Sequence, residues 1–158
     1  MPTNLQEGDS APSFELDSDN AGTFRLEDLR GKYVVLYFYP KDDTPGCTTE
    51  ACSFRDADTD IAAEGAVVLG VSTDSLRSHE KFRQKHSLQF PLLSDPDHHV
   101  AEAYGVYGLK KFMGREYMGV RRTTFLISPN GKIVKVFENV KADGHSQEVL
   151  AALGSVIS

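Results

Sequence analysis

Two cysteines, Cys47 and Cys52, stand five positions apart and are the only cysteines among 158 residues. Cys47 follows a strand-like apolar run and a turn, at the expected start of a helix. The free amides and positive dipole end of a helix start favour the thiolate, which is the nucleophilic form of a thiol. Cys52 lies about one and a half turns further on, where it could trap an oxidised partner. This placement predicts redox catalysis.

The spacing of the two cysteines limits the kinds of cysteine motif to which they can belong. Four residues separate the cysteines, whereas two separate those of a thioredoxin-type or zinc-knuckle motif. Two cysteines are too few for a disulfide scaffold, and a domain of this length does not need one. In a reducing compartment a close pair is more often catalytic or metal-binding. The alternative for either residue is a small buried hydrophobe without chemistry.

Composition limits the partners. Apolar residues make up 40% and charged residues 25%, as in ordinary globular domains. A net charge of −6 argues against a nucleic-acid partner or an anionic membrane surface. Residues 1–9 lack the pattern of a secretory signal, and no apolar run approaches the roughly 20 residues that cross a bilayer. We expect one domain over residues 1–158, located in the cytoplasm.

The elements that position the cysteines follow from periodicity. The apolar run at 33–39, ended by Pro40, and the run at 67–71 predict strands buried on both faces. Turn-rich residues predict an N-terminal hairpin between 14–16 and 23–26. An Asn-Gly pair predicts a second hairpin, which joins strands at 123–127 and 133–137.

Helices are predicted between these strands, at 48–64, 75–85, 98–104 and 146–157, with Gly65 after the end of the first and Asp74 or Ser75 opening the second. This order of elements predicts an α/β sandwich with a mixed central sheet, parallel in the middle and antiparallel at one edge. The predicted fold is thioredoxin-like, with the N-terminal hairpin as an extension.

The motif around Cys47 resembles that of the peroxiredoxins. Pro40, Thr44 and Cys47 match the family's Pro-x-x-x-Thr-x-x-Cys pattern, and Cys52 matches the second cysteine of the subfamily called bacterioferritin comigratory protein or peroxiredoxin Q. Further likeness covers most of the chain, in the segments 8–14, 54–56, 70–74, 91–95 and 122–127. The resemblance implies a thiol peroxidase that reduces hydrogen peroxide and organic hydroperoxides without a metal or organic cofactor.

The resemblance also implies roles for the matched residues. Cys47 would attack the peroxide and become a sulfenic acid, and Cys52 would condense with it to a disulfide. Arg122 would stabilise the thiolate and the leaving oxygen. The Thr44 hydroxyl would orient the peroxide, and Pro40 would shield the thiolate from water. Thioredoxin or a similar dithiol would restore both thiols, and the subfamily favours a monomer.

Several alternatives stay open at this point. Arg121 could be the active-site cation, although adjacent strand residues face opposite ways and only one can reach the site. Thr44 and Pro45 could serve only as a helix cap and first helical residue. Glu50 is expected to stabilise the first helical turn, a catalytic role being a weaker hypothesis.

Other functions also compete with the peroxidase. Asp95, Asp97, His98 and His99 could suggest a metal site, but a solvated helix start explains them better because adjacent histidines diverge. A disulfide oxidoreductase acting on protein dithiols is the competing enzyme, and a redox sensor or binding module using the cysteine pair is the non-catalytic alternative.

Overall fold

The apolar run that begins at Tyr33 forms an interior strand of a seven-stranded sheet in the computed structural model, which describes residues 3–157. In chain order the strands are β1 (Glu15–Ser18), β2 (Thr23–Arg25), β3 (Tyr33–Phe38), β4 (Ala66–Ser72), β5 (Leu92–Ser94), β6 (Tyr107–Phe112), β7 (Arg115–Val120), β8 (Thr123–Ile127) and β9 (Ile133–Phe137). The helices are α1 (Pro45–Ala63), α2 (Leu76–His86), α3 (His99–Ala103) and α4 (His145–Ile157), and Leu26–Leu29 form a 3-10 turn. Met1, Pro2 and Ser158, which the predicted 1–158 domain includes, lie outside the described residues.

The sheet is mixed, as predicted, in the order β2-β1-β5-β4-β3-β8-β9. β4 pairs in parallel with both β3 and β5, and the β8–β9 hairpin extends the sheet antiparallel from β3. The prediction of one antiparallel edge is wrong, because β1 pairs antiparallel with β5 and so makes the N-terminal hairpin the opposite edge. The three-residue β5 is too short to be recognised by periodicity.

Two layers of side chains cover the sheet. Alternate residues of β3 enter opposite hydrophobic clusters, with Leu36 in one and Val35 in the other. The second cluster also holds buried residues of α1, α2 and α4, and the first holds residues from α3 and the N-terminal hairpin. This arrangement confirms the predicted α/β sandwich.

The helices begin close to their predicted starts. The Ser75 hydroxyl accepts a hydrogen bond from the Ser78 amide at 3.1 Å and caps α2. α1 starts at Pro45, three positions before the prediction, and Gly65 follows its end with a φ of +78°. Proline suits the first helical position because its missing amide hydrogen has no helical partner there. The earlier start places Cys47 within the first turn.

The β6–β7 hairpin was not predicted. It forms a separate two-stranded sheet, and its Leu109, Tyr117 and Met118 side chains are about half exposed. Three glycines and interspersed charges hide the alternation that normally reveals a strand. Within residues 3–157 no helix is long and apolar enough to cross a membrane.

Candidate active site

Cys47 lies in the first turn of α1, and its side chain is nearly buried, with 2% of the residue exposed. Thr44 is the residue that caps the helix by position, and its carbonyl accepts the Thr48 amide at 2.8 Å. The sulfur therefore lies close to amides that have no partner within the helix. The neighbouring side chains of the second hydrophobic cluster exclude water from it.

Arg122 joins the start of α1 to the beginning of β8. Its Nη2 donates to the Cys47 sulfur at 3.3 Å, and its Nη1 donates to the Glu50 Oε1 at 2.6 Å. A Cβ atom at Gly46 would lie 3.0 Å from the same Nη2. Glycine at this position thus lets the guanidinium approach the helix start closely.

Glu50 is fully buried one turn after Cys47. Burial raises the pKa of Glu50 to about 7, although Arg122 acts to lower it. The second carboxylate oxygen, Oε2, has no hydrogen-bond partner among the described residues. Glu50 therefore fixes the guanidinium of Arg122 through one oxygen, while burial opposes the negative charge of Glu50.

Other ionisable groups border this trio. Burial acts to lower the pKa of Arg122, but the interactions with Glu50 and Cys47 are together stronger than this effect and raise the pKa of the guanidinium. Lys110 on β6 has a lowered pKa, first because it is partly buried and then because Arg122 is close. The Tyr37 hydroxyl is buried, and desolvation followed by the charge of Glu50 raises its pKa. Arg122 and Lys110 thus place positive charge near a sulfur that is nearly buried.

Thr44 and Pro40 lie on the loop between β3 and α1. The Thr44 hydroxyl donates to the Lys41 carbonyl at 2.9 Å and makes no helix-capping bond. Its oxygen lone pairs are therefore not used by the helix. Half-buried Pro40 borders a cavity of about 490 Å³, which is also lined by Lys110, Tyr107, Tyr117 and Val120.

Cys52 has different surroundings. It is partly exposed on the continuous helix α1, and both cysteines are free thiols. On an ideal helix, Cα atoms five positions apart are separated by about 8.7 Å, more than the roughly 7 Å over which a disulfide closes without backbone movement. The continuous helix α1 therefore keeps the two thiols too far apart to form a disulfide.

Arg121, the alternative cation, faces away from Cys47. Its Nη2 donates to the Gly105 carbonyl at 2.8 Å, and its Nη1 is buried without a partner among residues 3–157. Arg122 is therefore the arginine that reaches the sulfur.

The His98 and His99 pair does not form a metal cluster in the described part of the chain. His98 stacks on Tyr107 with ring centroids 4.0 Å apart and contacts Glu102 at 3.0 Å. His99 is the first residue of α3.

Sequence reasoning undervalued Glu50 and missed Lys110. Glu50 stands three positions after Cys47, so it shares one face of the helix with that residue, and this signal was available in the sequence. Lys110 comes from the unpredicted hairpin, and nothing in its local sequence indicates that it approaches the site.

Comparisons with known proteins identify the family of the chain. The AhpC/TSA family matches residues 7–136. Peroxiredoxin Bcp of Bacillus subtilis is 51% identical over 149 residues, which are 94% of this chain and 95% of the relative.

Solved structures give the same result. One is a structure of Xanthomonas campestris bacterioferritin comigratory protein that gives insight into its alkyl peroxide reduction activity. The two chains are 37% identical, and they superpose with a TM-score of 0.89 over 99% of this chain and 100% of the relative. Peroxidoxin BcpB of Mycobacterium tuberculosis is 38% identical, with a TM-score of 0.87, covering 98% and 100%. The chain belongs to the AhpC/TSA family, within the peroxiredoxins of the Bcp and peroxiredoxin Q type, which are thiol-dependent peroxidases.

Proposed function

We propose that this protein reduces hydrogen peroxide and organic hydroperoxides through Cys47. The observation that carries the proposal is the buried Cys47 sulfur in the first turn of α1, 3.3 Å from a guanidinium that Glu50 holds in place. Reduction of alkyl peroxides is the activity named for the Xanthomonas campestris relative. The cavity beside Pro40 has a mixed lining, in which Met118 and Val120 could contact an organic substituent.

In the first step the Cys47 thiolate attacks the peroxide oxygen farther from the organic group. The O–O bond breaks, Cys47 becomes a sulfenic acid, and the other oxygen takes a proton and leaves as an alcohol or as water. The guanidinium of Arg122 stabilises the charge that develops on the leaving oxygen. The Thr44 hydroxyl orients the peroxide, and Pro40 limits access of water.

In the second step the Cys52 thiol condenses with the sulfenic acid, and a disulfide and water are formed. Because Cys47 and Cys52 are too far apart on an intact helix, the first turns of α1 open during this step. A dithiol protein, which we take to be thioredoxin, then restores both thiols by exchange and becomes oxidised itself. These steps use no metal or organic cofactor.

The proposal also covers the cellular location, oligomeric state and partners of the enzyme. We infer a cytoplasmic monomer of one domain that binds neither nucleic acid nor membrane. The net charge of −6 supports the last two points, and the cytoplasm maintains the dithiol donor that the cycle consumes. Sedimentation of the reduced protein at increasing concentration tests the oligomeric state.

A coupled assay tests the function. Thioredoxin, its reductase and reduced nicotinamide cofactor should consume hydrogen peroxide only when this protein is present. Cys47→Ser should lose essentially all turnover, because a serine hydroxyl is not ionised at neutral pH, and circular dichroism should show that its fold is retained. Turnover by Cys47→Ser comparable to that of the parent protein would contradict the assignment.

The mass of the oxidised protein separates the remaining alternatives. After one equivalent of peroxide, the parent protein should lose two hydrogens and all free thiols while it stays at monomer size. If peroxide does not oxidise the protein, but exchange with a disulfide of another protein does produce the Cys47–Cys52 disulfide, the protein would instead be a disulfide oxidoreductase or a redox switch.

A further inference from the structure

A buried cluster of ionisable side chains lies where the loop before α1 crosses α2. The Asp42 carboxylate accepts hydrogen bonds from the Tyr39 hydroxyl at 2.5 Å, from the Ser78 hydroxyl at 2.8 Å and from the His79 Nδ1 at 2.7 Å. The side chains of Asp42 and His79 are 3% and 0% exposed. Buried charges of this kind are stable only when they are paired and hydrogen-bonded, as these are.

The hydrogen bonds of His79 indicate its protonation state. Its Nδ1 faces the Asp42 carboxylate, and its Nε2 lies 2.9 Å from the Leu93 carbonyl oxygen. A carbonyl oxygen only accepts, so Nε2 carries hydrogen. An ionised carboxylate also only accepts, so with Asp42 ionised Nδ1 carries hydrogen as well and the ring is an imidazolium. Burial lowers the pKa of His79, but Asp42, the Leu93 carbonyl and Asp74 outweigh it and raise the pKa above its usual value.

Asp42, Asp74 and His79 are close enough together to suggest a metal site. The Oδ2 of Asp74, however, accepts from the Asp42 amide at 2.8 Å and from the Ser72 hydroxyl at 2.7 Å. Both Asp42 oxygens and both His79 nitrogens are also engaged by protein groups. The engagement of these atoms and of the Asp74 Oδ2 by protein groups favours a structural role for the cluster over metal binding.

The cluster holds the loop that carries two residues of the proposed site. Asp42 stands two positions after Pro40 and two before Thr44, and the Thr44 hydroxyl donates to the carbonyl of Lys41, the neighbour of Asp42. We propose that Asp42 and His79 are positioning residues, whose buried ion pair fixes the Thr44 hydroxyl and the start of α1 for the reaction of Cys47. This inference rests on the proposed function of Cys47.

The chain supplies a matched control for this pair. Asp43, the next residue of the loop, contacts His86 on the same helix α2, with its Oδ1 3.2 Å from the His86 Nε2. This second pair is at the surface, where the Asp43 side chain is 46% exposed. Solvent weakens such an exposed pair, so only the buried pair should control the loop.

The first experiment measures the second-order rate constant of Cys47 oxidation by hydrogen peroxide, in competition with a haem peroxidase. His79→Gln and Asp42→Asn remove the charge but keep groups that can hydrogen-bond, and each should lower the rate constant by roughly 10- to 100-fold, as small misplacements of reacting groups do. His86→Gln should stay within about twofold of the parent, as surface substitutions usually do. Parent-like rate constants in both His79→Gln and Asp42→Asn would overturn the proposal.

The pH dependence distinguishes positioning from a purely structural role. His79 is faced by Tyr39 at the end of β3, by Asp42 on the loop, by Asp74 after β4 and by the Leu93 carbonyl of β5. Because its pKa is raised, the ion pair is intact below the usual histidine value and is lost as the pH rises through the raised value. The parent rate constant should therefore decline at alkaline pH, and this decline should be absent from His79→Gln.

Nitrogen-15 NMR of the histidine rings tests the pair without any turnover, and it also applies if the variants fail to fold. In the parent and in Cys47→Ser, both ring nitrogens of His79 should carry hydrogen above about pH 6.5, the usual histidine pKa. A neutral His79 ring at that pH would overturn the ion pair even if the enzyme is active. Absence of peroxidase activity with a normal His79 titration would instead contradict the proposed function.

Discussion

Cys47 and Cys52 are the same residue type on the same helix, yet they differ in burial, in hydrogen bonding and in distance from the helix start. Cys47 is buried in the first turn and accepts a hydrogen bond from Arg122. Cys52 is partly exposed in the second turn. A helix start with a partly buried cation suits an attacking thiolate, whereas a partly exposed thiol suits exchange with a protein partner.

The contacts between the two cysteines show what the cycle must disturb. Between the cysteines Glu50 contacts Arg122, and directly after Cys52 the side chains of Ser53 and Phe54 contact Ser146 and His145 of α4. In the proposed cycle, reaction with peroxide depends on the contact between Glu50 and Arg122, because it holds the cation beside the Cys47 sulfur. In the same proposed cycle, a disulfide between Cys47 and Cys52 would require this part of the helix to open. The reaction of Cys47 thus favours an intact start of α1, whereas its disulfide with Cys52 favours an open one.

The largest expected effect separates the two cysteines by the step that each substitution blocks. Cys47→Ser should lose the reaction with peroxide, whereas Cys52→Ser should lose only the later steps. The first reaction with peroxide should proceed at a near-parental rate, because no contact of Cys47 is changed. Turnover with thioredoxin should fall to near background, and excess peroxide should convert Cys47 to the sulfinic acid. Mass spectrometry and the coupled assay measure both. Normal cycling with thioredoxin would show that Cys52 does not resolve the sulfenic acid.

The next largest effect is expected at Arg122. Arg122→Lys keeps a positive charge but loses the planar group that contacts Cys47 and Glu50 at once, so it should be impaired nearly as much as Arg122→Ala. We expect a decrease of roughly 100- to 1,000-fold in the rate constant for peroxide, as for other donors to a developing charge.

Arg121→Lys is the matched control for Arg122, because Arg121 is adjacent in sequence but contacts Gly105 instead of Cys47. Its rate constant should remain close to that of the parent. An unchanged rate in Arg122→Ala, measured by the same competition assay, would remove Arg122 from the site.

A smaller effect, on stability, is expected from Glu50→Gln. Burial raises the Glu50 pKa from 4.5 to about 7, so the protonated form stabilises the folded state most below pH 4.5, and this contribution is lost as the pH rises to about 7. The rise corresponds to roughly 3 kcal/mol. The free energy of unfolding of Glu50→Gln, relative to the parent, should therefore increase by up to about that amount between pH 4.5 and 8.

Urea unfolding at a series of pH values measures this difference. Glu64→Gln, the same substitution at the exposed end of α1, is the control and should follow the parent at every pH. Parallel curves for Glu50→Gln and the parent would contradict the raised pKa of Glu50.

The fold was predictable where hydrophobic periodicity is strong. β3, β4 and the β8–β9 hairpin are continuous apolar runs or flank an Asn-Gly turn, and they were placed within one or two residues. The antiparallel pairing of β1 with β5 depends on hydrogen bonds between segments far apart in the chain. Local sequence carries no information on such a pairing.

The site was predictable where the motif is local. Thr44, Cys47 and Cys52 lie within nine positions. The spacing of the two cysteines suggests redox chemistry, and the match to the peroxiredoxin motif implies the role of Thr44. The burial of Glu50 follows from three-dimensional packing, as does the approach of Lys110 and the contact between Asp42 and His79. Side-chain burial and ion pairing across elements depend on topology, which periodicity does not specify.

The final prediction concerns the segment that both cysteines share. α1 is continuous through Cys47 and Cys52 in the thiol form, so a disulfide between them requires the first turns to unwind. Unwinding separates Cys47 from Arg122 and removes the helix start that favours its thiolate, so the enzyme regains its reactive form only after reduction. Hydrogen exchange of the reduced and disulfide forms is the measurement. Amides from Thr48 to Arg55 should exchange much faster in the disulfide form, whereas those of α2 should exchange equally in both. Equal protection at 48–55 in both forms would show that α1 stays intact, and resolution would then need another thiol.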